Sequence, residues 1–398
     1  MFPHGRWAPL LLVLVTACNQ EPLTGTPFLL GNALTSATAE LGGPLPFLTS
    51  GEQRLFASGN VVFQTVFTPA TGLGPLFNNT ACAQCHEDPV VGGIGEEVEV
   101  HATAYQGGVC SDLAAVGGPV IQDSMTPALR AALGIDKEPV PAAATGIGHR
   151  TTPSVLGFGL LDAVPDAEIL ARADPDDRDG DGISGRPNRS ADGRIGRFGR
   201  KAQVPTLREF VEQAFVMEMG ITNPALPTEQ TVGGAPLPAG VDPTSDPELT
   251  QQGLDAAVAF SQLLAPPAPV GNPVIRMGGQ QIFSRIACDG CHVPRLRTGD
   301  NPVRALRYKY VEAYTDLLLH DMGPDLADIC LGLAEPAEFR TEPLMGLHFK
   351  SNFLHDGRAS SIEEAIRLHA GEATGARDRF LALSERQRGV LLRFLGGL

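Results

Sequence analysis

Two stretches decide the reading of this 398-residue chain: Cys82-Ala83-Gln84-Cys85-His86 and Cys288-Asp289-Gly290-Cys291-His292. Each is a Cys-x-x-Cys-His run, the attachment signature of a c-type haem. The spacing has a physical cause. Two thiols three residues apart reach both vinyl groups on one porphyrin edge, and the next residue turns its imidazole under the iron. A zinc site or a redox dithiol is the rival reading, but a dithiol has no need of the trailing His in both copies. The sequence therefore predicts two covalently bound c-type haems, on Cys82 and Cys85 and on Cys288 and Cys291, with His86 and His292 as proximal ligands. What each iron does depends on its other face. A second strong ligand favours electron transfer, and an open position permits peroxide or oxygen chemistry.

Outward from these motifs, Gly74-Pro75-Leu76-Phe77 precedes Cys82 much as Gly279-Gln280-Gln281-Ile282-Phe283 precedes Cys288. This reads as an internal repeat of one haem-binding unit. Leu207, Phe210, Val211, Ala214 and Phe215 fall at helical spacing, as do Leu254, Ala257, Val258 and Ser261. Ser360 with Glu363 reads as a capping box opening a helix that runs to His369, and Ser384 with Gln387 as another opening the C-terminal helix. Strand signals are few. The expected fold class is mainly α, two cytochrome c-like domains with long irregular loops. The expected domains are 46–264 and 274–398, joined by the Pro-rich run from Leu264 to Pro273, with 223–247 as a long surface loop.

The N-terminus reads as a targeting signal. Arg6 precedes a short apolar run from Pro9 to Val15, and Val15-Thr16-Ala17-Cys18 resembles a bacterial lipobox. Residues 1–18 are the expected lipoprotein signal peptide and 19–45 a Pro-, Thr- and Gly-rich tether. A lipid on Cys18 would give a membrane anchor rather than a span. An ordinary secretory signal is the alternative, and either places the mature chain in the periplasm or at the cell surface. Asn19 in place of Asp suits outer-membrane sorting. Trp7, the one Trp of the chain, leaves with the signal. The net charge of −15 argues against nucleic-acid binding, which needs a basic footprint, and suits docking of a cationic partner.

Further candidates come from spacing. Ile362, Ala365, Ile366 and His369 share one helical face, which makes His369 the candidate second ligand of the C-terminal haem, with Met345 and Met322 as rivals. Asp177-Arg178-Asp179-Gly180-Asp181-Gly182 matches the start of a calcium loop, so Asp177, Asp179 and Asp181 are candidate calcium ligands, although Asn188 stands where a Glu is usual. Cys110 and Cys330 remain as a pair that an oxidising compartment would allow to form a disulfide; sequence does not show their proximity.

Phe353-Leu354-His355-Asp356-Gly357-Arg358, followed by Ile362-Glu363-Glu364-Ala365, resembles the C-terminal signature of bacterial di-haem cytochrome c peroxidases. In that family an axial ligand of the second haem lies fourteen residues after the motif's His, which is His369 here. Residues 72–86, 149–170, 179–186, 314–323 and 368–373 resemble a narrower branch, the di-haem oxidoreductases often labelled thiol oxidoreductases. The resemblance implies a peroxidatic N-terminal haem fed by electrons through the C-terminal haem, with hydrogen peroxide as oxidant and a redox partner protein as donor. It also implies catalytic roles for Glu218, which resembles the peroxidases' Glu-Met element, and for His149, with His101 a weaker second. Arg340, Arg150 and Arg358 are candidates to pair with haem propionates, and His320 and His348 read as structural. Two departures stand out. The mature chain lacks the Trp that those peroxidases place between the haems, leaving Phe158 as a relay candidate, and His369 replaces their usual Met. A di-haem electron carrier without substrate, or a haem oxidase acting on a partner protein, remains the alternative.

Overall fold

The computed structural model describes Met1 and residues 39–398. The expected signal peptide, Cys18 and the tether up to residue 38 lie outside the described residues. The last residues of the expected tether pack on the body: Leu45 is buried and its N–H donates to the Leu263 carbonyl. Among the described residues no helix is long and apolar enough to cross a membrane.

The helix Ser50–Gln64, opened by a Thr49/Glu52 capping box, crosses the helix Gln251–Leu263. Gly59 sits at the crossing. A Cβ there would lie 1.9 Å from the Ala256 carbonyl oxygen, so only glycine lets the two backbones approach so closely. Phe56 and Phe63 then meet Phe260, with ring centroids 5.0 and 4.8 Å apart. The second half repeats the device. The helix Pro273–Arg285, with Asn272 as N-cap and Pro273 in its first turn, crosses the helix Glu385–Leu395. A Cβ on Gly279 would lie 2.1 Å from the Phe394 Cβ, and Phe283 meets Phe394 at 5.9 Å. The structural repeat is therefore Gly59-x-x-x-Phe63 and Gly279-x-x-x-Phe283. This corrects the alignment with Gly74–Phe77, since Leu76–Phe77 is a short strand paired with Ser124–Met125.

The chain is not mainly α. Among the described residues helix accounts for 33% and strand for 14%. The largest sheet is antiparallel, with Val98–Gln106 paired to Val109–Ser111, Val120–Ile121 and Gly146–Thr151. Among the described residues three two-stranded ladders accompany it, one of them Leu319–Asp321 with Glu338–Arg340. The reason lies in the residues: Val98, Val100, Ala102 and Ala104 alternate with Glu99, His101, Thr103 and Tyr105, a period of two that suits a strand.

Helix starts follow their caps. Thr206 caps Leu207–Met219 and Ser384 forms the capping box of Glu385–Leu395. The helix before His369 is Ile362–Leu368, capped by Ser361 onto Glu364, one residue later than expected. Residues on both sides of the Leu264–Pro273 run share one core: Phe158, Phe198 and Phe260 pack with Ala305, Leu306 and Val311. A second core gathers Phe283, Phe380, Leu391 and Phe394. A Cys110–Cys330 disulfide, Cα atoms 5.8 Å apart, ties the sheet to a segment 220 residues later.

Candidate functional site

The first Cys-x-x-Cys-His run forms one helical turn, Cys82–Cys85, closed by the His86 N–H on the Cys82 carbonyl at 2.9 Å. His86 Nδ1 faces the carbonyl oxygens of Pro153 at 2.8 Å and Gly93 at 3.3 Å. Two carbonyls require Nδ1 to carry the proton, which leaves Nε2 as a lone-pair donor, the arrangement a metal-ligating imidazole needs. Burial lowers the His86 pKa and keeps the ring neutral. Phe63 lies against its ring, centroids 5.9 Å apart.

Glu218, in the last turn of Leu207–Met219, is clipped to the segment before Cys82. Its main-chain carbonyl accepts from Asn78 N at 2.7 Å and Asn79 N at 3.2 Å. Asn78 Nδ2 donates to its carboxyl at 2.7 Å, and Asn79 Nδ2 reaches Cys85 Sγ at 3.3 Å. Glu99, from the central strand, faces the Glu218 carboxyl closely enough to shift its pKa, and His101 Nε2 lies 3.1 Å from the Glu99 carboxylate. Burial, then the charge of Glu99, raises the Glu218 pKa; burial raises that of Glu99 against the pull of Arg200. Two facing carboxyls in a partly buried place retain a proton between them. Burial, then Arg150, lowers His101 to about 4, so it is a neutral imidazole at pH 7. The buried His101 Nδ1 and Glu97 Oε2 have no hydrogen-bond partner.

His149 stands apart from this group. It pairs with Val100 across the ladder, so it faces away from Glu99, His101 and Arg150, and it is exposed. The sequence missed Glu99; the alternation along 98–105 is the signal that puts Glu99 and His101 on one face.

The second site has the same logic. Cys288–Gly290 is a short 3₁₀ turn, and His292 Nδ1 lies 3.0 Å from the Tyr314 carbonyl oxygen. His369, just past the end of its helix, holds Nδ1 2.7 Å from the Ala365 carbonyl oxygen. Both imidazoles thus keep Nε2 uncommitted. They are near enough to interact: burial first, and the charge of His369 in addition, bring the His292 pKa down to about 4 against the pull of the Tyr314 hydrogen bond. Met345 is packed against the first core instead, beside Phe158 on the wall of a small cavity. His320 is buried between Asp316 and Glu372, 2.8 Å from each, and 3.6 Å from Cys291 Sγ.

Of the three expected propionate partners, Arg150 is committed to Asp328 and Arg358 to Asp356. Arg340 belongs to a cationic group. Arg200, Arg340 and Lys350 surround the single carboxylate of Glu342 at 2.6, 2.8 and 3.4 Å, and the buried Arg340 Nε has no partner. This surplus of buried cations suits an acidic substituent such as a propionate.

Asp177, Asp179 and Asp181 place carboxylate oxygens within 4.8 Å of one another. The loop is closed by Gly182 N on Asp177 Oδ1 at 3.1 Å and Asp181 N on Asp179 Oδ1 at 3.2 Å. Asn188 is not part of it: buried, it donates to the carbonyls of Lys201 and Leu331.

The family model described as "Di-haem oxidoreductase, putative peroxidase" matches residues 142–398. The chain belongs to the di-haem oxidoreductase family. The match takes in Glu218, the Cys288–His292 run and His369, with Cys82–His86 ahead of it. A di-haem family implies two haems, and this oxidoreductase offers two Cys-x-x-Cys-His turns, three imidazoles with free Nε2 atoms and unsatisfied buried polar atoms where such groups fit. Among curated proteins no relative matches. Solved structures similar to the chain include hydrazine synthase from Kuenenia stuttgartiensis (14% identity, 100% of this chain and 98% of that one, TM-score 0.42). The diheme peroxidase BthA from Burkholderia thailandensis is another (17%, 87% and 86%, TM-score 0.42). A third is a MauG-like protein associated with microbial copper homeostasis (15%, 88% and 89%, TM-score 0.38). Likenesses this distant bear on no functional claim.

Proposed function

We propose that this oxidoreductase is an extracytoplasmic di-haem peroxidase that reduces hydrogen peroxide or a related oxidant. In this reading 46–264 and 274–398 are two cytochrome c-like halves. Cys82, Cys85 and His86 hold the peroxidatic haem, and Cys288, Cys291, His292 and His369 hold the haem that takes in electrons. Bound haem supplies the redox centre at which peroxide is reduced. The observation that carries the reading is the Glu218–Glu99 pair beside the Cys82–His86 turn. Hydrogen peroxide becomes two waters by taking up two electrons and two protons. Glu218, holding the shared proton, donates it to the departing oxygen as general acid; solvent supplies the second proton and reprotonates the Glu218–Glu99 pair. Asn78 fixes the Glu218 carboxyl through its 2.7 Å hydrogen bond, and neutral His101 orients Glu99. His149, exposed on the other face of its strand, takes no part in this scheme.

Burial pushes the thiols of Cys82, Cys85 and Cys288 up to about 12, which opposes the thiolate a redox dithiol requires. Calcium on Asp177, Asp179 and Asp181 completes the cofactor set. A lipid on Cys18 tethers the protein to the outer membrane in the periplasm or at the cell surface. The charge of −15 suits a cationic donor protein. The test is peroxide-dependent oxidation of a reduced cationic cytochrome by the purified, half-reduced holoprotein. Multiple turnovers support the proposal, and donor oxidation at the same rate with and without peroxide overturns it.

A further inference from the structure

His320, on the strand Leu319–Asp321, is the centre of a buried ionic triad. Its Nε2 stands 2.8 Å from Asp316 Oδ2 and its Nδ1 2.8 Å from Glu372 Oε2. A ring nitrogen that faces a carboxylate carries a proton, so both nitrogens are donors and the ring is a cation. The two carboxylates are held in turn. Asp316 Oδ1 accepts from Leu318 N at 2.9 Å. Glu372 accepts from Ser184 N at 2.9 Å, from the Ser184 hydroxyl at 2.8 Å and from Asp321 N at 3.2 Å. Apolar side chains of the same volume often give a core as much stability as buried ions, so stability alone does not account for three charges here.

The triad lies between the supports of two imidazoles. The Tyr314 carbonyl, two residues before Asp316, faces His292 Nδ1 at 3.0 Å, and Thr315 N donates to the Val293 carbonyl at 3.0 Å. Glu372, three residues after His369, belongs to the turn Gly371–Ala373. That turn rests on the His320 strand: a Cβ on Gly371 would lie 2.1 Å from the Asp321 carbonyl oxygen. Cys291 Sγ completes the contacts, 3.6 Å from His320 Nδ1. One side chain thus grips both the segment that orients His292 and the turn that follows His369.

We propose that His320 is a positioning residue for the C-terminal haem, bridging Asp316 and Glu372 so that the His369 turn stays against the segment that orients His292. This role rests on His369 being the second ligand. Carbon monoxide titration of the fully reduced holoprotein, with EPR of the oxidised form, tests it. Carbon monoxide competes with His369 for the C-terminal iron, and a ligand that loses the group behind it is typically held about 10-fold or more weakly. His320→Gln has no second ring nitrogen to donate. The apparent Kd for carbon monoxide at that haem falls about 10-fold in this variant, part of the low-spin EPR signal is lost, and the N-terminal haem is unchanged. Glu372→Gln keeps the side-chain shape, removes one carboxylate and moves the same two readouts, so a His320→Gln chain that does not fold leaves the test in place. A folded variant with the wild-type bis-imidazole signal and the wild-type carbon monoxide affinity overturns the role of His320 and leaves His369 as ligand. A wild type whose C-terminal haem lacks the bis-imidazole signal overturns the reading of His369, and the role of His320 with it.

Discussion

The carboxyl groups of Glu99 and Glu218 face each other although they come from a strand and a helix more than a hundred residues apart, and the charge of Glu99 helps to hold the Glu218 pKa up. A pair of this kind is costly to keep unless one member is protonated, and the protonated member is a ready general acid. Glu218→Gln keeps the shape and the Asn78 contact but removes the acid. It should lower the rate of peroxide reduction about 100-fold or more, with the haem absorption spectrum unchanged. Stopped-flow kinetics on the holoprotein checks this; a loss under threefold would assign Glu218 to structure alone.

His369 carries the second axial position in this account. His369→Met should raise the midpoint potential of the C-terminal haem, since a thioether ligand favours the reduced iron relative to a second imidazole. His369→Ala should convert that haem from low-spin to high-spin. Potentiometric titration followed by absorption and EPR reads both, and spectra indistinguishable from wild type would hand the position to another residue.

The Cys110–Cys330 disulfide closes a very long loop, its ends 220 positions apart in sequence. Cross-links over such spans restrict the unfolded chain most, so Cys110→Ser should cost about 2–5 kcal/mol of stability. Urea unfolding of both proteins, with and without reductant, measures it. Reductant should bring the wild type down to the variant and leave the variant unmoved.

Glu138 gives a pH signature. It is buried, accepts from Gln122 N at 3.0 Å, and burial raises its pKa from 4.5 to about 7. A raised carboxyl favours the folded state while protonated. Its contribution is full below 4.5 and is lost as the pH climbs to about 7. Glu138→Gln, which keeps the acceptor, should flatten the stability profile across that window and leave the variant about 2–3 kcal/mol more stable than wild type at pH 8. Thermal unfolding at pH 5 and pH 8 shows whether the difference grows with pH, as expected.

The two Cys-x-x-Cys-His turns and the helices that start after Thr206 and Ser384 were open to sequence reading because their signals are local. Cys-x-x-Cys-His, Thr206 and the Ser384/Gln387 box each work within a few residues. What sequence reading missed depends on distant partners or on weak periodicity. The strand 98–106 alternates cleanly, but Ala and Thr give it little apolar contrast, so the sheet, and with it the mixed α and β character, went unseen. Glu99 matters only because Glu218 meets it. Gly59 matters only because Ala256 crosses it, which is why the repeat was set on Gly74 instead of the Gly-x-x-x-Phe pair. His149 was chosen for its neighbours in sequence, and the register of its ladder, invisible beforehand, turns it outward.

The most direct test of the central claim is EPR of the purified holoprotein, oxidised and then half-reduced. The account predicts one high-spin haem with an open position, beside Glu218 and Glu99, together with one low-spin haem held by His292 and His369, and a change in the former on adding peroxide. Two low-spin, six-coordinate haems that persist on half-reduction and ignore peroxide would contradict it and leave an electron-transfer protein.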